Sequence, residues 1–393
     1  MREQRSYCFV SNYLTPHQLP FCLAMQRETG DRFVFIETEE LPEERKNLGY
    51  PSLGEQYGFV LNAKKDAASF QKAMRIATES DVTIIGSAPN VFIKSRLREN
   101  KLTLRFSERI FKKRYVDPLR WAKHTLKNIP YRNKNLFFML SSAYAPHDYM
   151  RCGMRTEKMF KWGYFPKVSM DSCNETVKKD GKIVWVGRFL PLKHADDAIR
   201  AVIRLKQEGH PVTLDLVGSG ETQELLQSIV KENQAEEYIR FLGNQPYDQV
   251  REYMRSAEIF LFTSDYHEGW GAVLNEAMDS GCAVVASHAA GGVPFLIKHQ
   301  ANGLIYRFED KEQLYEHIKL LLTDKALMQR LAEQAKATVT EEWNADRATK
   351  RLMDFCDAFF AGDYRNGICE DGIFSSVQAI SQKNMYQEIA RKR

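Results

Sequence analysis

The chain has 393 residues, of which 44% are hydrophobic and 27% charged, and its formal net charge is +5. This length suits two domains of about 150–200 residues each, and the composition is that of a folded, soluble protein. No run approaches the roughly 18 apolar residues of a membrane span, and no secretory leader is expected at the start. The seven cysteines form no C-x-x-C pair, which argues against metal and disulfide frameworks and favours a reducing cytoplasm.

The positive charge is concentrated in residues 94–135, which contain fourteen Lys and Arg and three Asp and Glu. Phe, Tyr, Leu and Trp are interleaved with these cations, a mixture that predicts a surface for anionic lipid headgroups or a phosphorylated partner. A solvated basic face on an ordinary helix pair is the alternative. No helix-turn-helix, zinc-finger or RNP-type pattern accompanies the charge, so a nucleic-acid partner is not expected.

Short apolar runs alternate with helical patterns along most of the chain. Strands are predicted at 6–12, 32–38, 58–62, 81–87, 102–107, 136–142, 182–188, 212–217, 239–243, 259–264 and 282–287. Helices are predicted at 18–27, 66–78, 193–208, 221–233, 246–256, 271–280, 311–323, 325–338 and 341–361. Because strands that alternate with helices of 10–15 residues form parallel sheets covered on both faces, we predict an α/β chain of two doubly wound, Rossmann-like domains.

The domain boundary is predicted near residues 165–180, where Pro166, Gly181 and a polar run interrupt the alternation. The predicted domains are residues 1–170 and residues 171–340, followed by a helical segment, residues 341–393. The part of that segment after Gly362 has a mixed character and gives no clear pattern.

The run HEGWGAVLNEA, residues 267–277, places Glu268 and Glu276 eight positions apart. Glu268 follows a predicted strand, at the sheet edge where open α/β sheets bind ligands, and Gly269 and Gly271 allow a tight turn. A helix then begins near residue 272, so its first amides suit a phosphate or a sugar oxygen. Glu276 is therefore either a ligand-binding carboxylate or an ordinary residue of the helix surface.

Two cations near the same sheet edge favour the ligand-binding interpretation. Arg188 ends the first predicted strand of the second domain, and Lys193 begins the next helix. Arg offers a bidentate fork and Lys a compact charge, so together they could neutralise a diphosphate, although the R-x4-K spacing alone equally suits a solvated helix start. With Glu268, Glu276 and the Gly-Gly-Val-Pro turn at 291–294, this set is typical of a nucleotide-sugar site.

These motifs resemble those of the retaining glycosyltransferases of family 4. The matching segments are VGRFLPLK (186–193), LDLVGSGE (214–221), residues 239–297 and NGLIY (302–306). The resemblance implies the GT-B fold, in which two Rossmann-like domains flank a cleft. Residues 1–170 would then bind the acceptor and residues 171–340 the nucleotide sugar, with residues 341–393 packing back towards the first domain.

The resemblance also implies roles for particular residues. Glu268 would contact the donor sugar and Glu276 the ribose hydroxyls, while Arg188 and Lys193 would hold the diphosphate. Backbone amides of the Gly-Trp-Gly turn would meet the sugar or the phosphates. The donor-binding set is therefore Gly187, Arg188, Lys193, Glu268, Gly269, Trp270, Gly271 and Glu276, of which Arg188, Lys193 and Glu268 would be catalytic.

The chain departs from the family pattern in two places. Phe295 stands where many members carry Glu, and the first loop lacks the glycine-rich run that many members have. In that loop, His17 and Gln18 are the candidate sugar or acceptor contacts, with an ordinary helix-start residue as the alternative for His17. Ser87, in the Gly-Ser-Ala-Pro loop at the end of the fourth predicted strand, is a third candidate.

The expected reaction transfers a sugar from a nucleoside diphosphate to a hydroxyl of a glycan or polyprenyl-linked acceptor, in surface polysaccharide assembly. No D-x-D occurs in the chain, so we expect neither a metal nor a cofactor. We expect a cytoplasmic protein, with peripheral attachment to an anionic inner membrane face through residues 94–135. The alternatives are a nucleotide-sugar epimerase or hydrolase of the same fold, or a non-catalytic sugar-binding protein. Val217-Gly-Ser-Gly220 begins like a dinucleotide fingerprint, but Gln223 replaces its third glycine.

Overall fold

The computed structural model of the protein describes residues 4–43, 52–112, 117–168 and 177–391. Part of the predicted boundary segment, residues 169–176, and part of the basic segment, residues 113–116, lie outside these ranges. The chain divides into two compact units. Unit 1 comprises Met1–Lys167 and Trp343–Ile380, and unit 2 comprises Val168–Glu342 and Ser381–Arg393.

Each unit is built on one parallel sheet. The strands are β1 (Tyr7–Ser11), β2 (Phe33–Glu37), β3 (Val60–Asn62), β4 (Val82–Ile85), β5 (Thr103–Ser107), β6 (Leu136–Leu140), β7 (Met159–Lys161), β8 (Lys179–Val186), β9 (Thr213–Val217), β10 (Ile239–Gly243), β11 (Ala257–Phe262), β12 (Ala283–Ser287) and β13 (Leu304–Tyr306). Their order is β3-β2-β1-β4-β5-β6-β7 in unit 1 and β10-β9-β8-β11-β12-β13 in unit 2. The predicted pair of doubly wound parallel sheets is therefore confirmed.

Helices connect most of the successive strands. Their bounds are Leu19–Thr29, Ala67–Glu79, Asn90–Arg98, Pro118–Asn128, Ala145–Arg151, Ala195–Gln207, Gln223–Glu232, Tyr247–Ser256, Ala272–Asp279, Val293–Leu296, Lys311–Thr323, Lys325–Ala337, Ala345–Phe360 and Gln382–Arg391. Apolar periodicity explains their packing. In Ala195–Gln207, for example, Ile199, Val202 and Leu205 repeat at intervals of three and are fully buried against the sheet.

The strand order reverses once in each sheet, and this reversal positions the candidate site. In unit 2 the chain runs outward from β8 through β9 to β10, then restarts at β11 on the other side of β8. The loops that follow β8 and β11 therefore leave the same sheet edge in opposite directions. Such a switch point opens a crevice at the carboxyl ends of the strands, where ligands bind in open α/β sheets. In unit 1 the equivalent point lies between β1 and β4.

Within the described ranges, none of the helices has the length and apolar content that crossing a bilayer requires.

Candidate functional site

The loop after β8 packs closely against the backbone of the loop after β9. The Gly187 amide donates to the Val217 carbonyl at 3.0 Å, and the Phe189 amide donates to the Ser219 carbonyl at 2.8 Å. Gly218 has φ +132°, and a Cβ there would lie 1.9 Å from the Gly187 carbonyl oxygen. The glycine at this position is therefore explained by backbone packing in unit 2.

Lys193 and Glu268 meet at the switch point, although they belong to loops after different strands. The Lys193 ammonium forms an ion pair with a Glu268 carboxylate oxygen, and each side chain is 15% exposed. The Ser264 hydroxyl donates to the same carboxylate at 3.3 Å, and the Thr263 hydroxyl donates to the Lys193 carbonyl at 2.6 Å. The structure thus brings together two of the residues that the sequence places at one edge. Arg188, also on the loop after β8, is exposed.

The Gly-Trp-Gly turn leads directly into the helix Ala272–Asp279. Gly271 precedes the helix with φ +84°, and a Cβ there would lie 2.2 Å from the Phe262 ring. No described side chain caps the first amides of this helix. The Trp270 ring is buried, and its indole N–H donates to Asn275 at 2.9 Å. The indole therefore stabilises the turn that joins Glu268 to the helix.

Glu276 lies inside this helix and is only 7% exposed. Burial raises the pKa of its carboxyl to about 7, although the nearby Arg251 guanidinium lowers it. Arg251 forms an ion pair with Asp279 and donates to the Glu276 carbonyl. A carboxyl in this environment changes its charge close to neutral pH, and when ionised it is a strong acceptor for two neighbouring hydroxyl groups.

Two histidines next to Glu268 were not among the sequence candidates. His194 follows Lys193 with φ +48°, and its Nε2 lies 3.5 Å from a carboxylate oxygen of Asp265. His267 donates its amide to the other oxygen of Asp265 at 2.7 Å. Burial opposes ionisation of Asp265, but the hydrogen bonds from His194 and His267 hold its pKa below the usual value. The cluster combines Lys193-His194, after the first strand of unit 2, with Asp265-Tyr-His267, after its fourth strand. Only the strand order places these two segments side by side, so neither segment alone predicts the cluster.

The candidates in unit 1 lie at its own switch point. Gln18 precedes the helix Leu19–Thr29, is buried, and accepts from the Thr15 hydroxyl at 3.0 Å. His17 is half-buried, with its ring 6.4 Å from that of Tyr164 in an edge-on arrangement. Ser87 is exposed, two residues after β4 ends. Gln18 thus stabilises its own turn, whereas His17 and Ser87 present polar atoms nearer to the surface.

Phe295, the departure from the family pattern, is half-buried in the short helix Val293–Leu296. Its ring centroid lies 6.4 Å from that of Trp270, at an interplanar angle of 57°. Gly292 permits the close approach of the Trp270 backbone, because a Cβ there would lie 2.5 Å from the Trp270 carbonyl oxygen. The position therefore supplies an apolar contact beside the Gly-Trp-Gly turn.

No group of three or more His, Cys, Asp and Glu side chains that could share a metal ion occurs among the residues whose placement is described.

The match to known families falls on unit 2. Residues 171–338 match the family model described as glycosyl transferases group 1. Among curated proteins, the amylovoran biosynthesis glycosyltransferase AmsK of Erwinia amylovora is 26% identical over 218 residues, covering 54% of this chain and 53% of the relative. An N-acetylgalactosaminyltransferase of Campylobacter jejuni, named for a diphospho-undecaprenol-linked substrate, is 30% identical over 171 residues, covering 43% of this chain and 45% of the relative. The chain spans about half the length of the curated relatives it matches.

Solved structures show the same fold over most of the chain. Anabaena HepE, in complex with UDP and glucose, has a TM-score of 0.65 at 17% identity, covering 88% of this chain and 98% of the other. The lipopolysaccharide outer core galactosyltransferase WaaB has a TM-score of 0.64 at 16% identity, covering 91% and 99% of the two chains. The expected GT-B fold is thereby confirmed, and residues 171–338 are similar to the glycosyl transferases group 1 family.

Proposed function

We propose that the chain is a retaining, metal-independent glycosyltransferase of family 4. It would move a sugar from a nucleoside-diphosphate sugar to an acceptor hydroxyl. The observation that carries this proposal is the Lys193–Glu268 ion pair at the switch point of unit 2, beside an uncapped helix start that leads to the buried Glu276. A cation and a carboxylate on adjoining loops, a helix start, and a second carboxylate inside that helix match a ligand that contains a diphosphate between two polyhydroxyl groups.

Each residue then has a chemical task. Glu276 accepts hydrogen bonds from the ribose hydroxyls, and Glu268 accepts them from the donor sugar. Arg188, Lys193 and the amides of the Gly269–Gly271 turn stabilise the diphosphate. Before the donor binds, Glu268 compensates the charge of Lys193, so the site holds its cation in place without a ligand.

The reaction breaks the anomeric C–O bond and forms a new one to the acceptor oxygen, whose proton passes to the departing diphosphate. The departing diphosphate takes the bonding electron pair while positive charge grows on the sugar. Stabilising the developing negative charge is therefore the main task of Arg188 and Lys193, and each well-placed donor of this kind contributes about 3–4 kcal/mol. In this proposal the two cations do the work that a bound metal ion does in other transferases.

We propose a glycan or polyprenyl-linked acceptor, contacted by His17, Gln18 and Ser87 of unit 1. The names of the relatives in Erwinia amylovora and Campylobacter jejuni support an acceptor of this kind and a place in surface polysaccharide assembly. UDP in the HepE complex supports a nucleoside-diphosphate donor.

An anionic membrane surface is the proposed partner of the basic segment. Its helix Pro118–Asn128 has no buried residue, and Leu119 and Leu126 are 81% and 72% exposed. Lys123 and Lys127 lie on the same helix and are exposed. Exposed leucines among cations suit insertion at the headgroup level of a cytoplasmic membrane face, with the protein attached peripherally.

Calorimetric binding of UDP, GDP and ADP tests the donor site. We expect one nucleotide to bind the wild type, with weaker binding to Glu276→Ala and Arg188→Ala. Arg200→Ala provides the matched control, because Arg200 is an exposed arginine beyond the first turn of the helix Ala195–Gln207. Binding of no nucleotide, or equal affinity in all four proteins, would refute the site. Donor turnover without an acceptor would replace the transferase with an epimerase or hydrolase.

A further inference from the structure

The C-terminal helix Gln382–Arg391 belongs to unit 2, although the segment that precedes it, Trp343–Ile380, belongs to unit 1. Met385 of this helix is buried. The Tyr386 hydroxyl accepts from the Gln313 side-chain amide at 2.6 Å and lies 3.0 Å from the Gln313 carbonyl oxygen. The helix is therefore fixed to unit 2 by both an apolar and a polar contact.

Tyr386 also packs against a buried histidine next to the candidate site. Its ring centroid lies 5.2 Å from that of His288, at an interplanar angle of 68°. His288 directly follows β12 and is 3% exposed. Its Nδ1 accepts from the Phe308 amide at 2.9 Å, so its ring proton resides on Nε2. Burial lowers the pKa of His288 to about 4, which keeps the imidazole neutral and this tautomer fixed at neutral pH.

His288 in turn holds the loop that carries Glu268. Its Nε2 lies 3.0 Å from the Tyr266 hydroxyl, to which it donates, and the two rings meet edge-on at 5.6 Å. Tyr266 also packs edge-on against Phe308 at 5.8 Å. Because Tyr266 is two residues before Glu268, a shift of its ring moves the backbone that places the carboxylate.

Backbone hydrogen bonds also hold this loop. The Asp265 amide donates to the Leu192 carbonyl at 2.9 Å, the Glu268 amide to the Asp265 carbonyl at 3.1 Å, and the Gly291 amide to the Glu268 carbonyl at 3.1 Å. The side chain of Tyr266 connects this loop to His288, against which Tyr386 of the C-terminal helix packs. These three amides also provide a direct readout of loop order.

We infer that the C-terminal helix, through the contact of Tyr386 with His288, positions the loop that presents Glu268 to the donor sugar. Tyr386 is a positioning residue in this arrangement. Its consequence for donor binding rests on the proposed function, whereas its consequence for loop order does not. Loss of the Tyr386 ring leaves one side of His288 uncovered, loosens Tyr266, and displaces Glu268 more than Glu276, which lies inside a packed helix.

Hydrogen exchange of the full-length protein tests loop order. We expect Tyr386→Ala to speed exchange of the Asp265, Glu268 and Gly291 amides by about tenfold. Tyr386→Leu keeps an apolar side chain at this position, so it leaves no cavity, and it should speed exchange of the same three amides. Lys383→Ala, an exposed change on the same helix, should leave all three amides unchanged. Equal exchange in the wild type and both Tyr386 variants would overturn the inference, even if a nucleotide binds.

Ligand binding separates positioning from general support of the fold. Tyr386→Leu should weaken the affinity for the intact nucleotide sugar by about tenfold, with the affinity for the free nucleoside diphosphate within about twofold of the wild type. Equal weakening of both ligands would mean that the helix only supports the fold of unit 2, and would overturn the positioning role. If the wild type binds no nucleotide, the proposed function fails, whereas the exchange result still decides the contact.

Discussion

Lys193 and Glu268 are 75 residues apart in the chain and form an ion pair at the switch point of unit 2. The same loop arrangement gives the Lys193 carbonyl a hydrogen bond from the Thr263 hydroxyl, so the lysine is fixed at both its backbone and its charged end. A cation held in this way loses little freedom when an anion arrives, which is what preorganised stabilisation of a leaving group requires.

We therefore expect Lys193→Met to lower kcat by about 10²–10³ in sugar transfer, because the departing diphosphate loses a fixed charge. Lys325→Met is the matched control: Lys325 also pairs with carboxylates, Asp180 and Glu258, but away from the switch point. Its kcat should stay within about twofold of the wild type. Similar losses of kcat in both variants would show that the effect does not depend on the position of Lys193 at the switch point.

The pairing also predicts strong coupling in a double-mutant cycle. Lys193→Met and Glu268→Gln each remove one partner, so the double variant should lose less than the product of the two single losses. Initial rates at saturating donor and acceptor measure this. Strictly multiplicative losses would indicate that the two side chains act independently.

The environment of Glu276 predicts a pH dependence of nucleotide binding. Burial raises the pKa of this carboxyl to about 7, and only the ionised form accepts from both ribose hydroxyls. Affinity for the nucleoside diphosphate should therefore rise between pH 6 and 8 and level off above. Calorimetry across this range measures it, with Glu276→Gln as the comparison. A profile of the same steepness in Glu276→Gln would assign the titration to another group.

The same pKa predicts how stability depends on pH. The folded-state pKa, about 7, lies above the reference value of 4.5, so the folded state binds the proton more tightly. The contribution of Glu276 to the free energy of unfolding is therefore fully present at low pH and declines as the pH rises from about 4.5 to 7. Relative to the wild type, Glu276→Gln should gain about 3 kcal/mol between pH 4 and pH 8. Urea unfolding at both pH values measures this gain, and Glu232→Gln, an exposed change, should show none.

Much of this architecture could be predicted because it follows from local patterns. The helix Lys311–Thr323 was predicted with its observed bounds, since Asp310 supplies a capping carboxylate and the apolar residues repeat at helical spacing. The strand Ile239–Gly243 was likewise predicted without error. The strands Met159–Lys161 and Leu304–Tyr306 were missed, because three residues are too few to establish a period.

The candidate site could likewise be predicted only in part. Placing Glu268 and Lys193 at one sheet edge required only the rule that parallel strands share a carboxyl edge. The burial of Glu276 beside Arg251 and Asp279, and the packing of Tyr386 on His288, arise from helix packing and a chain return that no local pattern reports. The last thirty residues lacked a clear pattern because the return of Gln382–Arg391 depends on contacts distant in sequence.

Gly271 predicts a steric requirement at the helix start. Gly271→Ala places a methyl group 2.2 Å from the Phe262 ring at φ +84°, so we expect a loss of about 2–4 kcal/mol in unfolding free energy together with loss of nucleotide binding. Gly209→Ala is a close control, with φ +87° and nothing within 4 Å of the added carbon. It should lose only about 1 kcal/mol. Equal losses would attribute the effect to backbone strain alone.

The exposed leucines of the helix Pro118–Asn128 predict a graded membrane interaction. The wild type should float with anionic vesicles at low salt and stay behind with neutral ones, because both the cations and the apolar side chains contribute. Leu119→Glu combined with Leu126→Glu should lower the bound fraction by at least about tenfold, since burial of two leucines is lost and two negative charges are added.

Leu225→Glu provides the control for this pair. Leu225 is a 58% exposed leucine on a helix of unit 2, outside the basic segment, so its substitution adds one negative charge without touching the proposed surface. It should float like the wild type. A wild-type protein that stays soluble at low salt with anionic vesicles would contradict membrane binding outright. An equal loss of vesicle binding in Leu225→Glu would instead attribute the effect to net charge, because the position of the leucines would then be irrelevant.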